Sequence, residues 1–293
     1  MFNGSIVALV TPFDEAGEID FEALASLVSL HADAGTDALV IGGTTGESAT
    51  LKSGEFERLL QAVVRQAAGR LPVIAGTGAA ATDRTIENTV LAAAQGVDAA
   101  LVVTPYYNRP TQHGLVEHFR AVADHSDIPV ILYNVPSRTG VDMLPETVQS
   151  LAAHDRIVAI KEAVGHTERV KALVRLCGDQ LVVLSGDDQS SVQAMRHGAQ
   201  GVISIAANVV PHAFKALCRA AMKGDWQAVE TQEAKMKHLF GLLMIESNPI
   251  PVKWALHEMS LCSSRVRLPL TPLSAVHHEA LRHCLESLGL LSQ

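Results

Sequence analysis

Lys161 closes an unbroken apolar run, Ile157-Val158-Ala159-Ile160, and is followed by Glu162 and Ala163. A run of this length bounded by polar residues suits a strand buried on both faces. A lysine at the end of such a strand is unusual. Desolvation disfavours the ammonium ion, so an amine placed there loses its proton more readily and can act as a nucleophile towards a carbonyl. The alternative is a lysine whose head stays in water or pairs with Glu162, because long cationic side chains commonly snorkel.

The remainder of the chain supplies the elements that would position this residue. Short β-rich runs alternate with longer helical patterns eight times, with strands expected at 6–10, 38–41, 73–75, 100–103, 130–133, 157–160, 181–184 and 202–205. Eight βα units with near-continuous apolar strands predict a closed parallel (β/α)8 TIM barrel. Asp20 can cap a helix carrying Phe21, Leu24, Leu27 and Val28, Thr82 precedes Ile86, Val90 and Leu91, and Ser190 and Ser191 open a further segment. Gly35, Gly96 and Gly198 each stop a helix just before a strand, the short connection expected of such a fold. After the eighth strand a helix over 210–223 completes the last unit, and the pattern then turns wholly helical, at about 226–240, 250–258 and 273–287. The expected organisation is a catalytic barrel over 1–224 and a small C-terminal helical subdomain over 225–293.

In such a barrel the active face lies at the carboxyl ends of the strands. The residues just past the strands include Gly42-Gly43-Thr44-Thr45-Gly46-Glu47-Ser48, Gly76-Thr77-Gly78, Tyr106-Tyr107, Tyr133-Asn134-Val135-Pro136-Ser137-Arg138, Lys161-Glu162 and Ser185-Gly186-Asp187-Asp188. Gly42 to Ser48 lacks the Gly-Lys-Ser/Thr ending of a phosphate loop, which leaves a tight turn suited to a small carboxylate or a purely structural turn. Gly76-Thr77-Gly78 begins a relaxed dinucleotide pattern but has no acidic residue at the end of the next strand, so no cofactor is expected there. The 13 histidines contain no HExxH arrangement and there is no Gly-x-Ser-x-Gly elbow, so neither a metal nor serine-hydrolase chemistry is expected. Asp187 and Asp188 could bind a divalent cation, but capping the following helix is the simpler expectation.

Composition narrows the classes further. The 293 residues are 48% hydrophobic with a formal net charge of -8, which supports a sizeable core and argues against a nucleic-acid surface. Cys177, Cys218, Cys262 and Cys284 are widely spaced and form no metal or redox motif, as expected of reduced thiols. The first ten residues carry no basic region and no segment is apolar over membrane-spanning length, so a soluble cytoplasmic protein without leader or anchor is expected.

With these residues collected, the sequence resembles the pyruvate-dependent class I aldolase and lyase superfamily along essentially its whole length. The resemblance is carried by Gly43-Thr44-Thr45-Gly46-Glu47, by Tyr133-Asn134-Val135-Pro136 with Arg138, and by Lys161-Glu162-Ala163. Within the superfamily it is most similar to the dihydrodipicolinate synthase family. The resemblance implies that Lys161 forms a Schiff base with pyruvate and that no metal or organic cofactor is needed. It implies a proton relay of Tyr133, Thr44 and Tyr107, the last reaching in from the neighbouring subunit of a tight dimer. It further implies that Thr45 holds the pyruvate carboxylate, that Arg138 binds the carboxylate of aspartate semialdehyde, and that Gly186 and Ile203 add backbone contacts. The reaction implied opens diaminopimelate and lysine biosynthesis, and the implied assembly is a homotetramer made of two tight dimers. Lysine-inhibited members of the family line an interface site with polar residues. Here Ser48, Ala49 and Tyr106 are kept, but Ser53, Phe56, Ala80 and Arg84 stand where partners for lysine would be needed. Weak or absent inhibition by lysine is the resulting expectation. Sister aldolases acting on sialic acid or keto-sugar acids are the nearest alternatives, and Arg138 favours a substrate carrying a carboxylate. A non-enzymatic binding barrel would have no use for the nucleophile.

Overall fold

The computed structural model describes residues 2–52 and 54–291. Eight strands, β1 (Gly4–Ala8), β2 (Ala38–Ile41), β3 (Val73–Gly76), β4 (Ala99–Val103), β5 (Val130–Asn134), β6 (Ile157–Glu162), β7 (Val182–Ser185) and β8 (Gly201–Ser204), pair in sequence order. The parallel pairing of β8 with β1 closes the barrel, with Gly4 opposite Gly201 and Ile6 opposite Ile203.

Alternation along each strand divides the apolar residues between two cores. Ile6, Val40, Ile74, Leu101, Ile131 and Ile203 fill the barrel interior. Val7, Leu39, Val73, Leu132, Ile160 and Val202 face the surrounding helices. Both faces are therefore dry, which is why the strands read as continuous apolar runs. The same alternation turns Lys161 inward beyond Ala159 and turns Glu162 outward beyond Ile160.

The helical expectations hold with local corrections. Asp20 caps the helix Phe21–Asp33, its Oδ1 accepting from the backbone N–H groups of Glu22 and Ala23 at 3.1 and 2.9 Å. Thr82 lies inside the helix Thr82–Ala94 as its first residue. The helix begun near Ser190 spans only Ser191–Arg196, and Asp187 Oδ2 accepts from the Ser190 N–H and Oγ at 2.9 and 2.5 Å. Asp188 does not cap that helix. Its Oδ2 accepts from the backbone N–H groups of Ile205 and Ala206 and so fastens the turn after β8. Gly35, Gly96 and Gly198 follow their helices with φ of +68°, +79° and +100°, the left-handed conformation that ends a helix at little cost for glycine.

Beyond the helix Pro211–Met222 come Trp226–Leu242, Ile250–Glu258 and His278–Ser287. The last starts later than expected because Ala275–His277 forms a separate tight turn. These helices are tied to the barrel loops by charge. Lys253, fully buried, donates to Glu47 Oε1 at 2.7 Å and to the Thr11 carbonyl at 2.9 Å. Arg267 donates to both oxygens of Glu55 at 2.5 and 2.7 Å. A buried charge that loses its partner costs about 3–5 kcal/mol, so loop and C-terminal helices are held together. No helix among the described residues is long and apolar enough to cross a membrane.

Candidate active site

A cavity of about 140 Å³ opens at the carboxyl ends of the strands, and Thr44, Thr45, Tyr133, Arg138, Lys161 and Gly186 all line it. Lys161 is only 6% exposed. It sits directly opposite Tyr133 in the β5–β6 register, with Nζ 4.2 Å from the centre of the tyrosine ring. Among the described residues it forms no ion pair.

Glu162 is not its partner. Turned out of the barrel, the Glu162 carboxylate accepts from Asn134 Nδ2 at 3.2 and 3.1 Å and from the Val164 N–H at 2.8 Å, with Arg169 Nη1 at 3.8 Å. Burial pushes this carboxyl up to about 7 against the opposing pull of those donors. Asn134 and Glu162 are themselves opposite one another, so the polar clasp outside the barrel fixes the register of Tyr133 and Lys161 inside it.

Gly186 is dictated by Lys161. A Cβ at this position would lie 2.9 Å from Lys161 Cε, 3.0 Å from its Cγ and 3.0 Å from Ala163 Cβ. Gly186→Ala is therefore expected to shift the amine by a few tenths of an ångström and lower kcat by about tenfold, less than the roughly 10²-fold that a full ångström of misplacement costs. Steady-state kinetics beside a thermal melt would check this, with kcat falling far more than the fraction of folded protein.

The glycine-rich turn after β2 is a tightly packed turn whose threonines reach the cavity. Gly42 has φ +64° and a Cβ there would meet the Phe56 ring at 2.7 Å, while Thr44 and Thr45 face the cavity. Thr45 is 2% exposed and its Oγ1 accepts from Asn248 Nδ2 at 3.0 Å. The relaxed dinucleotide pattern has a packing origin: a Cβ on Gly76 would lie 2.4 Å from the Gly42 carbonyl oxygen, and one on Gly78 2.5 Å from the Val103 nitrogen.

Arg138 lies on the one-turn helix Pro136–Thr139 at the cavity mouth, exposed and without a carboxylate partner among the described residues. Its Nη2 donates to the Asn248 carbonyl at 3.4 Å. Tyr107 is not brought to the cavity of its own chain: it is 94% exposed with φ +75°. Ile203 is buried within β8 and does not reach the cavity wall, where Ile205 stands instead.

Of the residues singled out for lysine recognition, Ser48 lines the outer cavity and Ala49 is exposed. Phe56 packs over Gly42, and the Ala80 carbonyl accepts from Asn108 Nδ2 at 2.7 Å. Arg84 pairs with Glu87 at 2.9 Å, and Tyr106 is 42% exposed. Ser53 lies outside the described residues. Two lining residues that the sequence reading missed, Met244 and Asn248, come from the C-terminal segment. Their only sequence signal is the Ser247-Asn248-Pro249 break between two helices.

A parallel barrel with an unpaired, buried lysine against a tyrosine at its carboxyl end defines a lyase of the class I aldolase type. Comparison with known proteins narrows the class. The chain belongs to the dihydrodipicolinate synthetase family, whose family model matches residues 1–288. It is 54% identical over 285 residues to the 4-hydroxy-tetrahydrodipicolinate synthase of Acidithiobacillus ferrooxidans, covering 97% of this chain and 98% of that one. The Pseudomonas aeruginosa enzyme of the same name is 51% identical over 292 residues, covering 100% of each chain to the nearest per cent. Among solved structures, the chloride-inhibited dihydrodipicolinate synthase of Acinetobacter baumannii complexed with pyruvate superposes with a TM-score of 0.98 at 46% identity, covering 99% of this chain and 100% of that one.

Proposed function

We infer that the chain condenses pyruvate with L-aspartate 4-semialdehyde to 4-hydroxy-tetrahydrodipicolinate, the first committed step of diaminopimelate and lysine biosynthesis, as a cytoplasmic enzyme. The observation that carries this is Lys161, buried against Tyr133 in a cavity that also holds Arg138, neither cation having an acidic partner among the described residues.

Lys161 Nζ attacks the pyruvate ketone and expels water to give an imine. The imine draws electrons from the adjacent methyl, which loses a proton to become an enamine. The enamine carbon attacks the aldehyde, forming the new carbon–carbon bond, and the aldehyde oxygen takes up a proton. The substrate's amine then closes onto the imine carbon and releases Lys161. Tyr133 and Thr44 carry the protons together with Tyr107 of a neighbouring subunit. The full exposure of Tyr107 in its own chain suits a role across a tight dimer, and two such dimers make the proposed homotetramer. Thr45 binds the pyruvate carboxylate, Arg138 binds that of the semialdehyde, and Gly186 contributes a backbone contact at the cavity wall. No metal or organic cofactor enters these steps.

Initial rates with pyruvate and aspartate semialdehyde, run beside cleavage assays on N-acetylneuraminate and a keto-sugar acid, test the substrate. Turnover with the semialdehyde at about 1 to 10³ per second is expected; activity confined to a sugar acid would sink the assignment. In the same assay lysine is expected to inhibit weakly or not at all. Phe56 and Ala80 offer its amines no charged partner, and Arg84 is engaged with Glu87. Half-inhibition below millimolar lysine would contradict this.

A further inference from the structure

We propose that Asn248 is a positioning residue that orients the Thr45 hydroxyl and anchors Arg138, so that the C-terminal segment completes both carboxylate-binding ends of the cavity. The inference rests on the proposed reaction, in which Thr45 binds the pyruvate carboxylate and Arg138 that of the aldehyde.

Asn248 is 5% exposed and lines the cavity. Its Nδ2 donates to Thr45 Oγ1 at 3.0 Å, and its backbone carbonyl accepts from Arg138 Nη2 at 3.4 Å. One residue thus touches both groups that meet substrate carboxylates.

The direction of the first bond carries the argument. A hydroxyl has one proton and two lone pairs, whereas an amide N–H group can only donate. With Asn248 occupying a lone pair, the Thr45 proton cannot turn towards that amide nitrogen. Thr45 Oγ1 donates to no acceptor among the described residues, so its proton is available to an anion in the cavity. A hydrogen bond to a charged acceptor is stronger than a neutral one.

Asn248 is itself fixed from behind. The next helix, Ile250–Glu258, carries Lys253, whose bond to Glu47 reaches the turn that bears Thr44 and Thr45. The turn and the segment that orients it are joined twice, through a buried ion pair and through the Asn248 amide. Asparagine suits the position because it is neutral. A carboxylate of the same shape would accept the Thr45 proton and turn it away from the cavity, and would also repel two substrate carboxylates.

Asn248→Ala and Asn248→Asp in the full-length enzyme test this. With saturating aldehyde, the alanine variant is expected to raise the pyruvate KM about fivefold and the aspartate variant about 50-fold, with kcat within about twofold in both. In a Thr45→Val background, Asn248→Ala should add nothing further to the pyruvate KM. A pyruvate KM within twofold of the parent for the isosteric aspartate variant would overturn the proposal. So would an alanine effect of undiminished size in the Thr45→Val background. A failure of the proposed reaction looks different: the unmodified enzyme itself would then retain no pyruvate on Lys161 after borohydride reduction.

Discussion

Lys161→Ala is expected to lower kcat/KM by about 10⁴-fold or more, because it removes the amine that forms the covalent intermediate in the proposed reaction. Two lysines are buried among the described residues, and their surroundings separate their roles. Lys253 is saturated: Glu47 and the Thr11 carbonyl hold its ammonium, and the Phe13 ring lies 4.2 Å from Nζ. Burial pulls its pKa down while Glu47 holds it up. Lys161 faces an open cavity and forms no ion pair among the described residues, so its nitrogen is free to meet a carbonyl. Truncating Lys161 leaves its neighbours Gly186 and Ala163 at a cavity surface, so the variant should fold and melt near the parent temperature. Residual turnover above about 1% of the parent rate would show that another amine or a non-covalent route carries the reaction.

Arg138→Ala is expected to act on the second substrate and spare the first. Arg138 is exposed at the mouth, its guanidinium held by one backbone carbonyl and, among the described residues, by no acid. A bidentate arginine–carboxylate pair is the kind of contact whose loss costs two orders of magnitude or more. We expect kcat/KM for aspartate semialdehyde to fall by about 10²- to 10³-fold, while pyruvate is still captured on Lys161. Arg138→Lys should recover little, because a point charge cannot reproduce the planar fork. Two-substrate kinetics with parallel borohydride trapping would check the split; loss of trapping in Arg138→Ala would place the arginine at the pyruvate end instead.

The barrel is legible in the sequence because each strand is dry on both faces, and dryness writes itself as an unbroken apolar run. The ends of strands are less so. β6 continues through Lys161 and Glu162 because the interior cavity and the outer Asn134–Arg169 clasp provide for polar groups there, which local sequence cannot disclose. Pairing between Lys161 and Glu162 is a reasonable alternative for adjacent opposite charges, yet strand alternation sends them to opposite faces. Thr44, Thr45, Tyr133, Arg138 and Gly186 can be collected by one rule, since a barrel gathers the carboxyl ends of its strands, and the loops after them, at a single mouth. Asn248 escapes that rule because no strand precedes it. It comes to the mouth through long-range ties, from Lys253 to Glu47 and from Asn248 to Thr45, that join residues about 200 positions apart. Asp188 reads as a cap of the nearest helix for a related reason; its partners, the Ile205 and Ala206 N–H groups, belong to the turn after the next strand.

The most direct measurement is borohydride reduction of the enzyme in the presence of pyruvate alone, followed by peptide mass mapping. A stable adduct with the reduced three-carbon unit on Lys161, absent in Lys161→Ala, is the predicted result. An adduct on another lysine, or none on the unmodified enzyme at saturating pyruvate, would contradict the imine mechanism and the role given to Lys161.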